Sequence, residues 1–195
     1  MEELQKTKQE IRDDIERLQS TWVEKEVAEQ TGKIGKRLYE FANFQESNII
    51  LLYIDHKCEV STEAIIRKAL DFDKIVVLPV FDAETQGLTL MKINNPKKDL
   101  KPGPRNILEP DASRCKKVPI ESIEIAIIPG VAFDEKGGRI GSGEGYYDRL
   151  IPKLSITTRK VALAYENQMV QQVPIESHDK HVDIIITEKR IIYKI

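Results

Sequence analysis

The sequence predicts an α/β fold, a three-layer sandwich around a mostly parallel sheet with an N-terminal helical pair. Three observations carry that expectation. Apolar residues recur at helical intervals through the first 46 positions, they gather into short β-branched runs from residue 48 onward, and a helix-period segment separates the first two runs.

Leu4, Ile11, Ile15 and Leu18 form one stripe at 3.6 residues per turn. Val27, Ile34, Leu38 and Phe41 repeat the pattern after a break at Ser20 and Thr21, where Thr21 with Glu24 makes a candidate capping box; Gly32 and Gly35 weaken this second helix. Trp22 and the Tyr39, Phe41, Phe44 group occur at helical spacing and are expected to pack. Runs at 48–54, 74–80, 88–93, 123–128, 160–164 and 182–187, with 190–193 at the end, are expected strands. Several are apolar on consecutive residues, the pattern of strands buried on both faces of a parallel sheet. Between the first two, 61–70 carries Ile65, Ile66 and Leu70 behind a Ser61 or Thr62 start, so the unit reads βαβ. The stretch 94–111, with four prolines and four basic residues, is expected to be irregular. Residues 1–195 are expected to form one domain in which helices 1–46 pack on an α/β core, 47–195, built on a Rossmann-like sheet.

Composition narrows the function classes. The 195 residues are 41% apolar and 32% charged, too apolar and, at net charge −2, too nearly neutral for a disordered chain. With 30 basic side chains against 32 acidic ones, no basic excess points to nucleic acid. The longest apolar run, 49–54, falls far short of the roughly 18 residues of a bilayer span. The first 30 residues are charged throughout, without a signal-peptide core. Cys58 and Cys115 lie far apart in no metal-ligand spacing, which suits a reducing cytoplasm. His178 and His181 lack a third ligand in the sequence, so no zinc site is expected.

Chemistry concentrates in one segment. A buried run ends at Pro129 and Gly130, a loop follows, and glycine alternates at 141, 143 and 145 before an expected helix at Tyr146–Leu150. Alternating glycines allow positive φ and close backbone approach, and a helix start offers unpaired N–H groups; together they suit an anion, most often phosphate. The spacing is neither GxGxxG nor GxxxxGK[ST], and a plain glycine-rich surface turn is the alternative.

The stretch from Pro129-Gly130-Val131-Ala132-Phe133-Asp134 to Gly141-Ser142-Gly143-Glu144-Gly145-Tyr146-Tyr147-Asp148-Arg149 resembles the signature of the 5-formyltetrahydrofolate cyclo-ligase family. Further matches follow in the same order. Lys8-Gln9-Glu10-Ile11-Arg12 is similar to its N-terminal Lys-x-x-aliphatic-Arg, and Glu59-Val60-Ser61-Thr62 to its acidic folate-side motif. Ile107-Leu108-Glu109-Pro110 is a weaker match, and Ala162-Leu163-Ala164-Tyr165 through Val173-Pro174, His178-Asp179 and Val182-Asp183 resembles the C-terminal block. The chain is expected to be a cytoplasmic monomer, and the resemblance implies an ATP- and magnesium-dependent enzyme. It phosphorylates the formyl oxygen of 5-formyltetrahydrofolate so that a neighbouring nitrogen can close the ring and phosphate can leave, giving 5,10-methenyltetrahydrofolate. Catalysis of that kind rests on positioning and charge neutralisation more than on a protein nucleophile.

By the same resemblance, ATP is bound by Lys8, Gln9, Glu10, Ile11 and Arg12 and by Arg139, Ile140, Gly141, Ser142, Gly143, Glu144, Gly145, Tyr146 and Tyr147. The folate is bound by Ile54, by Glu59 as acceptor for the pterin N–H edge, and by Ser142 through Tyr146. Asp148 and Asp179 are implied magnesium ligands. Ser142 and Glu144 depart from the commoner family pattern. A carboxylate 4 Å from a phosphate charge costs about 4 kcal/mol at an effective dielectric near 20. Glu144 is therefore expected to point away, bind magnesium, or be compensated by Arg139, Lys8 or Arg12. Tyr147 and the basic residues Lys97, Lys98, Lys101 and Arg105 are candidates to meet the folate's glutamate tail. Two other readings stay open on residues alone, a sugar-phosphate isomerase with Glu144 as acid/base and a non-catalytic nucleotide-binding module.

Overall fold

The computed structural model describes residues 2–82, 84, 87–103 and 106–194. Helices α1 (Glu2–Gln19), α2 (Glu24–Glu40) and α3 (Ala42–Glu46) lead into β1 (Ile49–Leu51), α4 (Glu63–Asp71), β2 (Ile75–Asp82) and β3 (Gly87–Ile93). Next come α5 (Pro96–Asp99), β4 (Leu100–Pro102), β5 (Leu108–Pro110), β6 (Lys116–Lys117) and β7 (Ile125–Ile128). The chain closes with β8 (Ala132–Phe133), β9 (Arg139–Ile140), α6 (Tyr146–Leu150), β10 (Arg159–Leu163), β11 (Ile184–Ile186) and β12 (Ile191–Tyr193).

Eight strands form the main sheet in the order β12-β11-β10-β7-β1-β2-β3-β6. The five central strands, β11 to β2, run parallel, and β12, β3 and β6 add antiparallel edges. The expected mostly parallel α/β architecture is borne out, and so is its physical reason: β7 and β11 are buried at every residue. Ile34 and Leu38 of α2 and Phe44 of α3 join the same core cluster as the strands. Trp22 packs edge-on against Tyr165 at 5.1 Å and Tyr39 lies 6.0 Å from Phe44, so these aromatics pack as expected.

Helix α1 has a different seat. Ile15 is buried and Ile11 half-buried in a small separate cluster with Cys58, Ala132, Ile140 and Val173; the Leu4 side chain lies outside the described ones. Its apolar stripe rests on the β8–β9 pair, which leads directly into the glycine segment.

Two local expectations are corrected. The cap of α2 is Val23, whose N–H faces Glu26 Oε2 at 3.5 Å, while Thr21 Oγ1 donates to Leu18 O and closes α1. The segment 94–111 is not irregular throughout. The Asn95 side chain caps α5 with Pro96 in its first turn, Asp99 accepts from the N–H groups of Asn94 and Asn95, and β4 and β5 form a hairpin. Proline is tolerated at Pro102 and Pro110 because a two-stranded ribbon leaves one side of each strand without a ladder partner.

Candidate functional site

The strand order reverses beside β1, which is followed by β2 on one side and later flanked by β7 on the other. Open α/β sheets bind ligands at the carboxyl ends of strands at such a point. A cleft of about 940 Å³, its open mouth included, lies there. Tyr53 and Ile54 line it after β1, Pro79 and Phe81 from the far half of β2, and Pro129 after β7.

The loop after β1 holds itself together. Thr62 Oγ1 donates to Tyr53 O at 2.5 Å, Tyr53 OH to Val60 O at 2.9 Å, and the His56 N–H to Glu59 Oε2 at 3.0 Å. Gln168, fully buried, donates to Cys58 O, Gly130 O and Val131 O, stapling this loop to the segment after β7. Ile54, His56 and Glu59 therefore face the cleft on a constrained backbone.

Across the cleft, Asp134 accepts from the N–H groups of Lys136, Gly138 and Val173, which closes the tight turn joining β8 to β9. Arg139 is buried; its guanidinium meets Asp148 Oδ1 at 2.7 Å and Pro129 O at 3.2 Å. Gly143 (φ +105°) and Gly145 (φ +67°) then turn the chain into α6. That helix, Tyr146–Leu150 as expected, has only five residues and so a small dipole.

From the other side, α1 contributes Lys8 and Arg12, one turn apart. Arg12 Nε donates to Gly141 O at 2.8 Å and one terminal nitrogen to Gln9 Oε1 at 3.2 Å. Burial lowers its pKa, but a guanidinium remains charged at neutral pH. Among the described residues, no carboxylate lies within ion-pair distance of Arg12. Lys8 is engaged instead: buried, its ammonium lies 2.7 Å from Glu176 Oε2 and 2.5 Å from Asp179 Oδ2. Burial opposes the Lys8 charge, but the bonds to Asp179 and Glu176 outweigh it and hold its pKa above the ordinary lysine value. Burial likewise opposes the Asp179 charge, and the hydrogen bonds from Lys8 and the Glu176 N–H overcome it, so its pKa lies below the usual carboxylate range.

The cleft thus brings together Lys8 and Arg12, Ile54 and Glu59, Arg139 to Gly143, Gly145 to Asp148, and Asp179. Gln9 and Glu144 line a second hollow beyond Arg12, together with Glu16 and Lys57. Glu144 is not among the residues lining the cleft itself. Ile11 packs in the small cluster and Glu10 is exposed on α1. Lys97, Lys98 and Lys101 are not among the residues lining the cleft, and Arg105 lies outside the described residues. Sequence reasoning missed His56, Phe81, Leu108 and His178 on the wall, and Glu176 as the second partner of Lys8. Glu176 and His178 carried a signal in their place beside Asp179, and Leu108 in the weaker match at 107–110; Phe81 read as an ordinary apolar residue. Glu176, His178 and Asp179 present ligand atoms within 4.8 Å of one another.

Substitution of Gly143 by Ala isolates the turn. A Cβ there has room, since the nearest atom is 3.8 Å away on Arg12. The positive φ still imposes about 1–3 kcal/mol of backbone strain. The expected result is a several-fold weaker affinity for inorganic triphosphate at nearly unchanged far-UV circular dichroism, read by calorimetric titration.

Residues 4–188 match the model of the 5-formyltetrahydrofolate cyclo-ligase family. The chain is 30% identical to the 5-formyltetrahydrofolate cyclo-ligase of Haemophilus influenzae, over 88% of this chain and 92% of that one. It is 28% identical to a probable 5-formyltetrahydrofolate cyclo-ligase of Caenorhabditis elegans, over 96% of each. Its fold superposes on the NMR structure of the Aquifex aeolicus 5,10-methenyltetrahydrofolate synthetase with a TM-score of 0.83 at 30% identity, covering 95% of this chain and 92% of that one.

Proposed function

The chain belongs to the 5-formyltetrahydrofolate cyclo-ligase family, and on that premise we propose that its cleft is where ATP and 5-formyltetrahydrofolate meet. The function is ATP-dependent cyclisation of 5-formyltetrahydrofolate to 5,10-methenyltetrahydrofolate. The formyl oxygen attacks the terminal phosphorus of ATP and ADP departs. The neighbouring N–H nitrogen then bonds to the activated carbon and gives up its proton, and the carbon's bond to the phosphorylated oxygen breaks, so that the group leaves as hydrogen phosphate. An amide-like oxygen is a poor leaving group and phosphate a good one, so the chain's task is to align two anions and neutralise the charge that moves between them.

One observation carries the residue assignment. A cation from residue 12 and a glycine turn 129 positions later are joined by a 2.8 Å hydrogen bond inside a cleft whose opposite wall is Ile54, Phe81 and Glu59. Arg12 and the N–H groups of 141–145 suit the phosphates. Phe81 and Tyr146, 5.0 Å apart and edge to face, with Ile54 and Leu108, offer an apolar wall to a flat bicyclic ring. Glu59 offers carboxylate oxygens to adjacent ring N–H donors. Arg139 keeps one buried N–H, at Nε, without an acceptor among the described residues, an unmet donor beside the turn that suits an anion site.

Asp148 and Asp179 are hard oxygen donors on the cleft wall. Asp148 takes its protein partners through Oδ1, and Asp179 stands in the group of three potential ligands, a set that fits magnesium bound through one or two carboxylates and phosphate oxygens. When bound, magnesium would neutralise phosphate charge. Lys8 holds Asp179 and Glu176 in place for that role. The isomerase alternative needed an acid/base at the glycine loop, and Glu144 opens on the second hollow. The same reading takes the enzyme as a cytoplasmic monomer serving two small-molecule substrates without nucleic acid. No described helix is long and apolar enough to cross a membrane.

Mixing the protein with magnesium-ATP and 5-formyltetrahydrofolate tests the reading. The methenyl absorbance should rise in step with ADP release. ATP binding without product would leave only a nucleotide-binding module, and no response to either substrate would defeat the assignment.

A further inference from the structure

Gln168 ends the 3₁₀ turn Glu166–Gln168 that follows β10; it is fully buried and lines neither the cleft nor the hollow beyond Arg12. Its side-chain oxygen accepts from the Tyr165 N–H at 2.8 Å. That bond aims the amide nitrogen at three carbonyls, Val131 O at 2.8 Å, Cys58 O at 3.0 Å and Gly130 O at 3.3 Å. Each of these belongs to a peptide unit that leads to one half of the cleft. The Cys58 carbonyl shares its plane with the Glu59 N–H, which donates to His56 O at 3.1 Å, so the peptide that carries Glu59 is held at both ends. The Gly130 carbonyl shares its plane with the Val131 N–H, which donates to Ile140 O at 2.7 Å. The Ile140 carbonyl in turn shares its plane with the N–H of Gly141, where the glycine turn begins. A continuous run of hydrogen bonds therefore leads from the peptide of Glu59, through one buried amide, to the first N–H of the turn.

We propose that Gln168 is a positioning residue for the cyclisation: it holds the Glu59 side of the cleft in register with the glycine turn and so sets the approach of the formyl oxygen to the terminal phosphorus. The inference rests on the cyclo-ligase reading and adds to it a residue that touches neither substrate. Transfer of a phosphoryl group between two bound molecules depends on their alignment, and a misplacement of about 1 Å costs on the order of a hundredfold in rate. Each half of the cleft also has supports of its own. Thr62 and Tyr53 brace the loop after β1, and Asp134 and Arg139 brace the segment that leads into the turn. Each half therefore keeps its shape, and its affinity for its own substrate, when the tie between them is cut. What is lost is the register, and with it the rate of the step that needs both.

Two variants test this. Gln168→Asn keeps an amide on a side chain one methylene shorter, which cannot reach both sides, and Gln168→Met keeps the length and drops the amide. In each, kcat for methenyl formation should fall about a hundredfold, while the Kd of ATP and the Kd of 5-formyltetrahydrofolate, titrated separately by calorimetry, should stay within about threefold of the parent values. A residue that serves only the fold gives no such split: its loss lowers the melting temperature and either spares the molecules that still fold or weakens both Kd values along with kcat. The proposal is overturned by variants that match the parent's kcat per folded molecule, by Kd values that weaken in parallel with kcat, or by failure of both variants to fold. A parent that forms no methenyl product overturns it together with the reading beneath it. An active parent whose variants show no split overturns the role of Gln168 alone.

Discussion

Replacing Lys8 with Met should lower the melting temperature by roughly 10 °C, because removing one partner of a buried ion pair costs about 3–5 kcal/mol in a chain of this size. The ammonium is the shared partner of two carboxylates, Glu176 and Asp179, each with under a tenth of its side chain exposed. Without it two negative charges face each other with little water to screen them. The turn that carries Asp179 to the cleft should open, and kcat/KM should fall at least about a hundredfold, the scale of losing some 3 kcal/mol of transition-state stabilisation. Differential scanning calorimetry and initial rates check the two parts. A second change separates them: Glu176→Gln in the Lys8→Met background relieves the repulsion and should recover part of the melting temperature while activity stays low. Recovery of both would make Lys8 a purely structural tie.

The pH dependence of that stabilisation has a defined sign. Asp179 is depressed in the folded chain, so its contribution is complete above the unfolded value, about 3.9, and is lost as pH falls through the lower folded one. Lys8 is raised, so its contribution is complete below about 10.4 and is lost as pH rises through the higher folded value. The stability difference between the parent chain and Lys8→Met should therefore be flat from about pH 4 to pH 10 and shrink beyond both ends.

Arg139→Met should abolish measurable turnover, a loss of at least about a hundredfold, and destabilise the fold by about 3–5 kcal/mol. The side chain is a post around which the glycine segment is folded. A Cβ on Gly141 would stand 2.7 Å from its terminal nitrogen, and one on Gly130 would stand 3.0 Å from its Cγ. Its guanidinium ties Asp148, in the first turn of α6, to the carbonyl of Pro129 at the end of β7. Met fills the volume but leaves Asp148 charged and the carbonyl without its donor. Arg139→Lys restores the charge without the planar fork, and should recover stability ahead of activity. Urea denaturation alongside the methenyl assay distinguishes them; equal activity of the Met variant and the parent would remove Arg139 from the site.

The sheet was legible because buried parallel strands announce themselves. Ile125–Ile128 and Ile184–Ile186 are apolar at every position, as full burial demands, and their limits fell within two residues of expectation. Segment 94–111 was not, because its prolines argue locally for a loop while hairpin pairing, Asn95 and Asp99 argue for order only once the chain has folded. The same distance in sequence hid the wall residues. Phe81 is an ordinary strand aromatic until β2 brings it 5.0 Å from Tyr146, and Glu176 is an ordinary loop acid until α1 lays Lys8 beside it.

By itself, the order of residues determined the buried strands, the parallel core and the segments that the proposed phosphate and folate site draws on, since periodicity and glycine placement act over a few positions. Tertiary structure alone decided which cations are available. Lys8 and Arg12 are one helical turn apart and equivalent on paper, yet one is buried between two carboxylates and the other caps a glycine turn. That division depends on contacts more than a hundred residues away, and charge pairing in a buried cleft is set by what stands within 4 Å in space, whatever its place along the chain.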